Sequence, residues 1–117
     1  MPRIVMLLAH SAAHPQGNVG DGYDITLALT PEGRLDERAW GEDPEPWRVR
    51  RFDGSGRDRQ GELIRTENGW AIRYGDRDAE APLGDFAGRV FRPGEYVTLR
   101  PPGGAQRVYR IVEVGGD

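Results

Sequence analysis

Two histidines and two nearby aspartates are the side chains best suited to general-base or metal-ligand chemistry. His10 and His14 are the only histidines in the chain, and Asp21 and Asp24 follow them. Two imidazoles and a carboxylate can hold a zinc ion. However, the Ser-Ala-Ala between the histidines and the Pro-Gln-Gly after them do not favour a helix that would put both rings on one face. We therefore expect no bound metal, and a small enzyme with its site in this loop is an alternative hypothesis.

Arginine is the second residue type that could carry function. All sixteen basic residues are arginine, and residues 47–77 hold eight of them against five acids. Guanidinium groups bind phosphate and carboxylate through a planar fork of donors. Strand alternation predicts that four arginines share one sheet face as a candidate anion-binding set: Arg48, Arg50, Arg65 and Arg73. The alternative is a solvated face on which these arginines form cross-strand pairs with acids.

The composition excludes several kinds of chemistry. The chain has no cysteine and no lysine, which excludes disulfides, thiolate metal sites, cysteine nucleophiles, Schiff bases and a P-loop lysine. A net charge of −3 argues against general DNA binding. No spacing of carboxylates or hydroxyls indicates a catalytic group, so we name no catalytic residue and expect no cofactor.

The elements that must position these residues are mainly strands. A continuous apolar run predicts a first strand over Arg3–Ala9, and strict alternation predicts a second over Tyr23–Thr30. Further strands are predicted over Trp47–Phe52, Gly61–Thr66 and Trp70–Tyr74, with Trp47 and Trp70 facing the core and Trp40 exposed. A short helical turn is expected over Leu35–Trp40, a loop over Gly75–Gly84 and a short sixth element over Phe86–Phe91.

Two hairpins complete the predicted sheet. Glu67-Asn-Gly69 joins two of these strands, since Asn-Gly accepts the positive φ angles of a tight turn. Glu95–Arg100 and Gln106–Val114 flank the turn Pro101-Pro-Gly-Gly104, which forms the terminal hairpin. The 117 residues therefore predict one all-β domain over 1–117, a small barrel or strongly bent sandwich of about seven mostly antiparallel strands with little helix.

Two resemblances extend this prediction. Arg34-Leu-Asp-Glu-Arg38 and Asp53-Gly-Ser-Gly-Arg-Asp58 resemble the two halves of the PilZ motif, although Asp58 stands where that family has glycine. The resemblance implies an all-β receptor for a cyclic dinucleotide. The segment around Pro93-Gly94 resembles the strand that opens a hairpin in SH3-like and PUA-like barrels, which implies the fold alone.

These observations favour a non-enzymatic binding or protein-interaction module. Its partner is expected to be a protein or a small anionic ligand, with a nucleotide, cyclic dinucleotide or single-stranded nucleic acid on the arginine face as the alternative. The apolar run Ile4–Ala9 is too short to span a bilayer, so we expect no membrane association and a cytoplasmic location.

Overall fold

The computed structural model describes residues 1–67, 69–75, 80–84, 86–99 and 106–115. In these ranges eight strands form one antiparallel sheet that curls into a half-barrel, which confirms the predicted all-β class. The elements are β1 (Arg3–His10), β2 (Asn18–Thr26), α1 (Glu37–Glu42), β3 (Arg48–Asp53), β4 (Arg59–Thr66), β5 (Gly69–Tyr74), β6 (Glu80–Gly84), a 3₁₀ helix (Phe86–Gly88), β7 (Tyr96–Leu99) and β8 (Arg107–Gly115).

The strands follow one another in an up-and-down order. Across the sheet they run β6-β5-β4-β3-β2-β1-β8-β7, and every neighbouring pair is antiparallel. The first and last strands, β1 and β8, pair with each other, and β8 lies between β1 and the edge strand β7. The two edge strands, β6 and β7, approach each other across the open side, so the sheet has an enclosed inner face and a solvated outer face.

Alternation along the strands places the core on the inner face. Ile4, Met6 and Leu8 of β1 are buried, while the residues between them are only partly covered. The predicted core tryptophans are confirmed, since Trp47 and Trp70 are each 2% exposed. Trp40, which we expected to be exposed, is half-buried: its ring packs edge-on against Trp70 at 5.2 Å between centroids, and its Nε1 donates to the Leu63 carbonyl.

Strand β2 differs from the prediction, because it begins at Asn18 and ends at Thr26. The sequence Asn-Val-Gly-Asp-Gly at its start is typical of a loop, yet Gly22 is needed for close approach of the neighbouring strands. A Cβ on Gly22 would lie 2.3 Å from the Met6 carbonyl oxygen and 2.8 Å from Cζ of Phe52. Here glycine marks a crowded strand position rather than a loop.

Two other boundaries also differ. The helical turn predicted over Leu35–Trp40 is α1, shifted toward the C-terminus because the Asp36 carboxylate caps it by accepting from the Ala39 N–H at 3.0 Å. Part of the predicted Gly75–Gly84 loop is strand β6. The sixth element is a 3₁₀ turn that brings the buried rings of Phe86 and Phe91 to 4.8 Å between centroids.

Some predicted features lie outside the described residues, namely Asn68 of the first hairpin turn and the terminal turn at 101–104. The strands that flank both turns are paired as predicted. In the described ranges no helix is long and apolar enough to cross a bilayer.

Candidate functional site

The structure does not assemble the predicted histidine–aspartate loop into a site. His10 donates from Nδ1 to the Pro15 carbonyl oxygen at 3.0 Å, and His14 is exposed in a turn closed by the Ser11 hydroxyl. Asp21 lies on the inner face of β2 and Asp24 on the outer face, because strand residues three apart point in opposite directions. Among the described residues no three potential metal ligands cluster.

The predicted arginine set is divided between the two faces of the sheet. Arg48 and Arg73 are both aligned with Glu62 on the outer face, and Arg50 shares that face. Arg65 instead pairs in register with the buried Trp70, so it belongs to the rim of the inner face. The structure therefore brings three of the four arginines together and separates the fourth.

Carboxylates already neutralise much of this set. Arg50 contacts Asp58 at 2.7 Å and Asp24 at 3.8 Å. Arg65 contacts Glu37 at 2.7 Å, and Arg73 lies 3.7 Å from Glu62. These contacts agree with a solvated face of cross-strand pairs. Arg48 alone of the set forms no ion pair with a described residue, and with Gln60, Glu62 and Arg73 it lines a shallow pocket of about 280 Å³.

A second group of arginines lies on the inner face, at the end of the half-barrel where β2 begins. Here tyrosine and arginine replace the aliphatic side chains of the core. We call this group the tyrosine–arginine cluster; it consists of Asp21, Tyr23, Arg51, Arg59, Tyr74, Arg107 and Tyr109.

A buried ion pair organises the cluster. Arg51 is 6% exposed and Asp21 is 7% exposed. Arg51 donates from Nη1 to the Asp21 carboxylate at 2.7 Å and to the carbonyls of Gly22 and Phe52. The Tyr109 hydroxyl donates to the same carboxylate oxygen at 3.2 Å. One arginine and one aspartate therefore tie together β2, β3 and β8.

Aromatic contacts extend this network. The Arg51 guanidinium lies over the Tyr23 ring at 4.7 Å, and the Tyr23 and Tyr109 rings meet edge-to-face at 5.1 Å. Stacking of a desolvated guanidinium on an aromatic ring is favourable. The pair and the two rings thus form a rigid, water-poor base for the cluster.

Two further arginines of the cluster have no acidic partner among the residues that the structure describes. Arg59 is aligned directly opposite Arg51, and its guanidinium covers the Tyr74 ring at 4.1 Å. Arg107 is half-buried on the inner face, because it lies two residues before the buried Tyr109 on strand β8 and shares its face. Neither forms an ion pair with any carboxylate in the described part of the chain. Like charges directly opposite on neighbouring strands are destabilising.

At the same end Asp53 is aligned with Asp21. Hydrogen bonds from Ser55 and, less strongly, the charge of Arg51 lower the pKa of Asp53. Three arginines therefore face two carboxylates at this end of the half-barrel.

The tyrosines of the cluster are held in the neutral form. Burial raises the pKa of Tyr74 to about 12, against the opposing influence of Arg59 and Arg51. Burial also raises the pKa of Tyr23 and of Tyr109. The Tyr74 hydroxyl, in a residue 8% exposed, finds no acceptor within hydrogen-bond distance among the described residues. An unsatisfied buried hydroxyl costs about 1–3 kcal/mol.

Stability should therefore decrease in alkaline solution. An exposed tyrosine loses its proton near pH 10, whereas folded Tyr74 holds it to about pH 12. The folded state therefore favours the protonated phenol by about 2–3 kcal/mol. This contribution to the free energy of unfolding is complete below the pKa of unfolded tyrosine, and it is lost as the pH rises through the pKa of folded Tyr74. Urea unfolding between pH 10 and 12 should show the free energy of unfolding decreasing with pH, and Tyr74→Phe should make this decrease less steep. An unchanged slope in Tyr74→Phe would show that other groups cause it.

No family model, curated protein or solved structure matches this chain.

Sequence reasoning missed the tyrosine–arginine cluster, although one signal for it was present. Arg51 follows Trp47 and Val49 in strict alternation, so the pattern that placed those two residues inside also places Arg51 inside. Arg59 precedes the predicted start of its strand. Tyr109 is 88 residues from Asp21 in sequence, so no local pattern could have joined them.

Proposed function

We propose that the protein is a non-enzymatic binding module whose ligand presents a small oxyanion, a carboxylate or a phosphate, to the tyrosine–arginine cluster. The observation that carries this proposal is that Arg59 on β4 and Arg107 on β8, both on the inner face, have no carboxylate partner in the described residues. An oxyanion beside either guanidinium would supply a negative charge that the described residues do not.

The charge balance supports binding of an anion. The cluster contains three guanidiniums and one carboxylate, which is bound to Arg51 and Tyr109. The exposed Asp53 carboxylate, aligned with Asp21, is a second acid at this end, so the arginines still outnumber the acids. Its lining is aromatic, and charge interactions strengthen where water is excluded. Charge-assisted hydrogen bonds from arginine to an oxyanion are among the stronger polar contacts.

The chemistry of the cluster supports binding more than catalysis. Phenols are protonated at neutral pH, and burial raises the pKa of Tyr23, Tyr74 and Tyr109 further, so these side chains are hydrogen-bond donors and poor bases. Oδ1 of Asp21 accepts from both Arg51 and Tyr109. A neighbouring guanidinium favours the charged carboxylate and makes it a weaker general base.

Binding should be visible as thermal stabilisation by inorganic phosphate or citrate at low ionic strength, compared with chloride at matched ionic strength. Ligand at 100 times its Kd adds about 2.7 kcal/mol to the free energy of unfolding. Arg59→Gln and Arg107→Gln should each weaken binding about tenfold, since a charged hydrogen bond is lost.

Arg110→Gln is the matched control, because Arg110 is exposed and alternates with Tyr109 onto the outer face. It removes the same net charge away from the cluster. If Arg110→Gln lost as much affinity as Arg59→Gln, the loss would be due to the change in net charge and not to the cluster. The absence of any stabilisation by either anion in the unmodified protein would overturn the proposal.

A second candidate function is binding of a nucleotide, cyclic dinucleotide or single strand at the outer-face pocket. The supporting observation is that Arg48 has no ion pair with a described residue and lines that pocket with Arg73. In this case Arg48→Gln, rather than Arg59→Gln, would abolish the stabilisation. The PilZ-like segments lie apart, since Arg38 is on α1, before β3, and Asp53 ends β3.

We further propose a cytoplasmic location for this module, with which the absence of cysteine is compatible. Recovery of the tagged protein in the cytoplasmic fraction would support it, and recovery elsewhere would contradict it.

A further inference from the structure

The Tyr74 hydroxyl is the unexplained polar group of the tyrosine–arginine cluster. It belongs to a residue more than nine-tenths buried, and no described residue offers it an acceptor within hydrogen-bond distance. Tyr109, by contrast, donates its hydroxyl to Asp21 at 3.2 Å. Buried hydroxyls in folded proteins are nearly always hydrogen-bonded, so a missing partner points to a group that is supplied from outside.

The chemistry of that group follows from its surroundings. Burial raises the pKa of Tyr74 to about 12, so at neutral pH the phenol is a neutral donor and its preferred partner is an acceptor. The residue covering its ring is Arg59, a second donor, 4.1 Å from the ring centroid. The Tyr74 hydroxyl and the Arg59 guanidinium are therefore adjacent donors that lack acceptors. A ligand group with two acceptor oxygens on one atom, such as a carboxylate or a phosphate, could accept from both.

The Arg59 side chain covers Tyr74, and a ligand can displace it. Arg59 is exposed, and Tyr74 is its partner: the guanidinium lies over the Tyr74 ring at 4.1 Å and close enough to the hydroxyl to oppose the rise that burial causes in its pKa. A cation–π contact at an exposed site is weak, whereas a guanidinium–oxyanion hydrogen bond is stronger. Moving the Arg59 side chain from the ring to an oxyanion would therefore open the approach to the hydroxyl without moving the sheet.

We infer that Tyr74 and Arg59 together form the ligand-recognition pair of the protein: the Tyr74 hydroxyl donates to one oxygen of a bound carboxylate or phosphate, and Arg59 donates to another. This inference rests on the proposed function. It adds the Tyr74 hydroxyl as a second donor beside Arg59, and an oxyanion, unlike a halide, has a separate oxygen for each donor. Because a phenol and a neighbouring guanidinium are both donors, they favour a group that carries two acceptor oxygens on one atom, and the ligand class is a carboxylate or a phosphate monoester.

Tyr74→Phe tests the inference, because it removes the hydroxyl and keeps the ring under Arg59. The free variant should be at least as stable as the unmodified protein, since only an unsatisfied group is lost. Its affinity should decrease about 10- to 100-fold, the value of a hydrogen bond to a charged group. The probes are inorganic phosphate and citrate, each titrated by calorimetry, and the tighter of the two identifies the source of the oxyanion.

Tyr96→Phe is the matched control, because Tyr96 is 56% exposed on the edge strand β7, and it should bind as the unmodified protein does. If Tyr74→Phe binds both anions with unchanged affinity, the inference is wrong while the proposed function stands. If the unmodified protein binds neither anion, the proposed function fails and the inference fails with it. A Tyr74→Phe variant that is less stable in the free state would also contradict the inference, since the hydroxyl would then have a partner within the protein.

Discussion

Arg51→Ala is expected to destabilise the protein by about 3–5 kcal/mol, because it leaves the buried Asp21 carboxylate without its cation. Arg51 also satisfies the carbonyls of Gly22 and Phe52 and stacks on Tyr23. All of these contacts are lost together. Urea unfolding followed by tryptophan fluorescence measures the effect as a lower midpoint at a similar m-value.

A double variant distinguishes the lost pair from lost volume. Arg51→Met combined with Asp21→Leu removes both charges and fills the same space, and buried pairs replaced in this way often leave stability unchanged. The double variant should therefore be more stable than Arg51→Ala. If Arg51→Ala alone unfolds at the midpoint of the unmodified protein, the ion pair does not hold the strands together as described.

Trp70→Ala is expected to have an effect of similar size, about 3–5 kcal/mol, because it leaves a large cavity in the core. Trp70 is 2% exposed and packs edge-on against Trp40. A domain of this size is stabilised by only about 5–15 kcal/mol in total. Thermal unfolding and urea unfolding should both show a large loss.

Trp70→Phe is the control, since it keeps an aromatic ring in the core. The Trp70 Nε1 has no hydrogen-bond partner in the described part of the chain, so phenylalanine removes an unsatisfied donor along with part of the ring and should cost less than alanine. Equal losses for alanine and phenylalanine would indicate that the cavity is not the dominant effect.

Local patterns in the sequence were sufficient for much of the fold. Alternation placed Trp47 and Trp70 inside, and turn residues located both hairpins. The start of β2 was missed because its glycines suggested a loop, whereas Gly22 is required by the Met6 carbonyl and the Phe52 ring. Strand β6 was missed because its pairing with β5 depends on a neighbour and not on its own alternation.

The candidate site was less accessible to sequence reasoning. Arginine composition indicated anion binding, and alternation directed attention to Arg48 and Arg50 on the outer face. It could not show that Arg50 is neutralised by Asp24 and Asp58, because those contacts depend on register. The absence of acidic partners for Arg59 and Arg107 within the described residues is likewise a property of the folded sheet.

The most direct test of the account is to locate bound phosphate by NMR at low ionic strength. Backbone amide, arginine side-chain and tyrosine-ring signals would be followed during titration with inorganic phosphate. The account predicts saturable shifts concentrated at Arg59, Tyr74 and Arg107, with Arg48 and Arg73 unaffected. Shifts confined to Arg48 and Arg73, or no saturable shift at Tyr74 or Arg59, would contradict it.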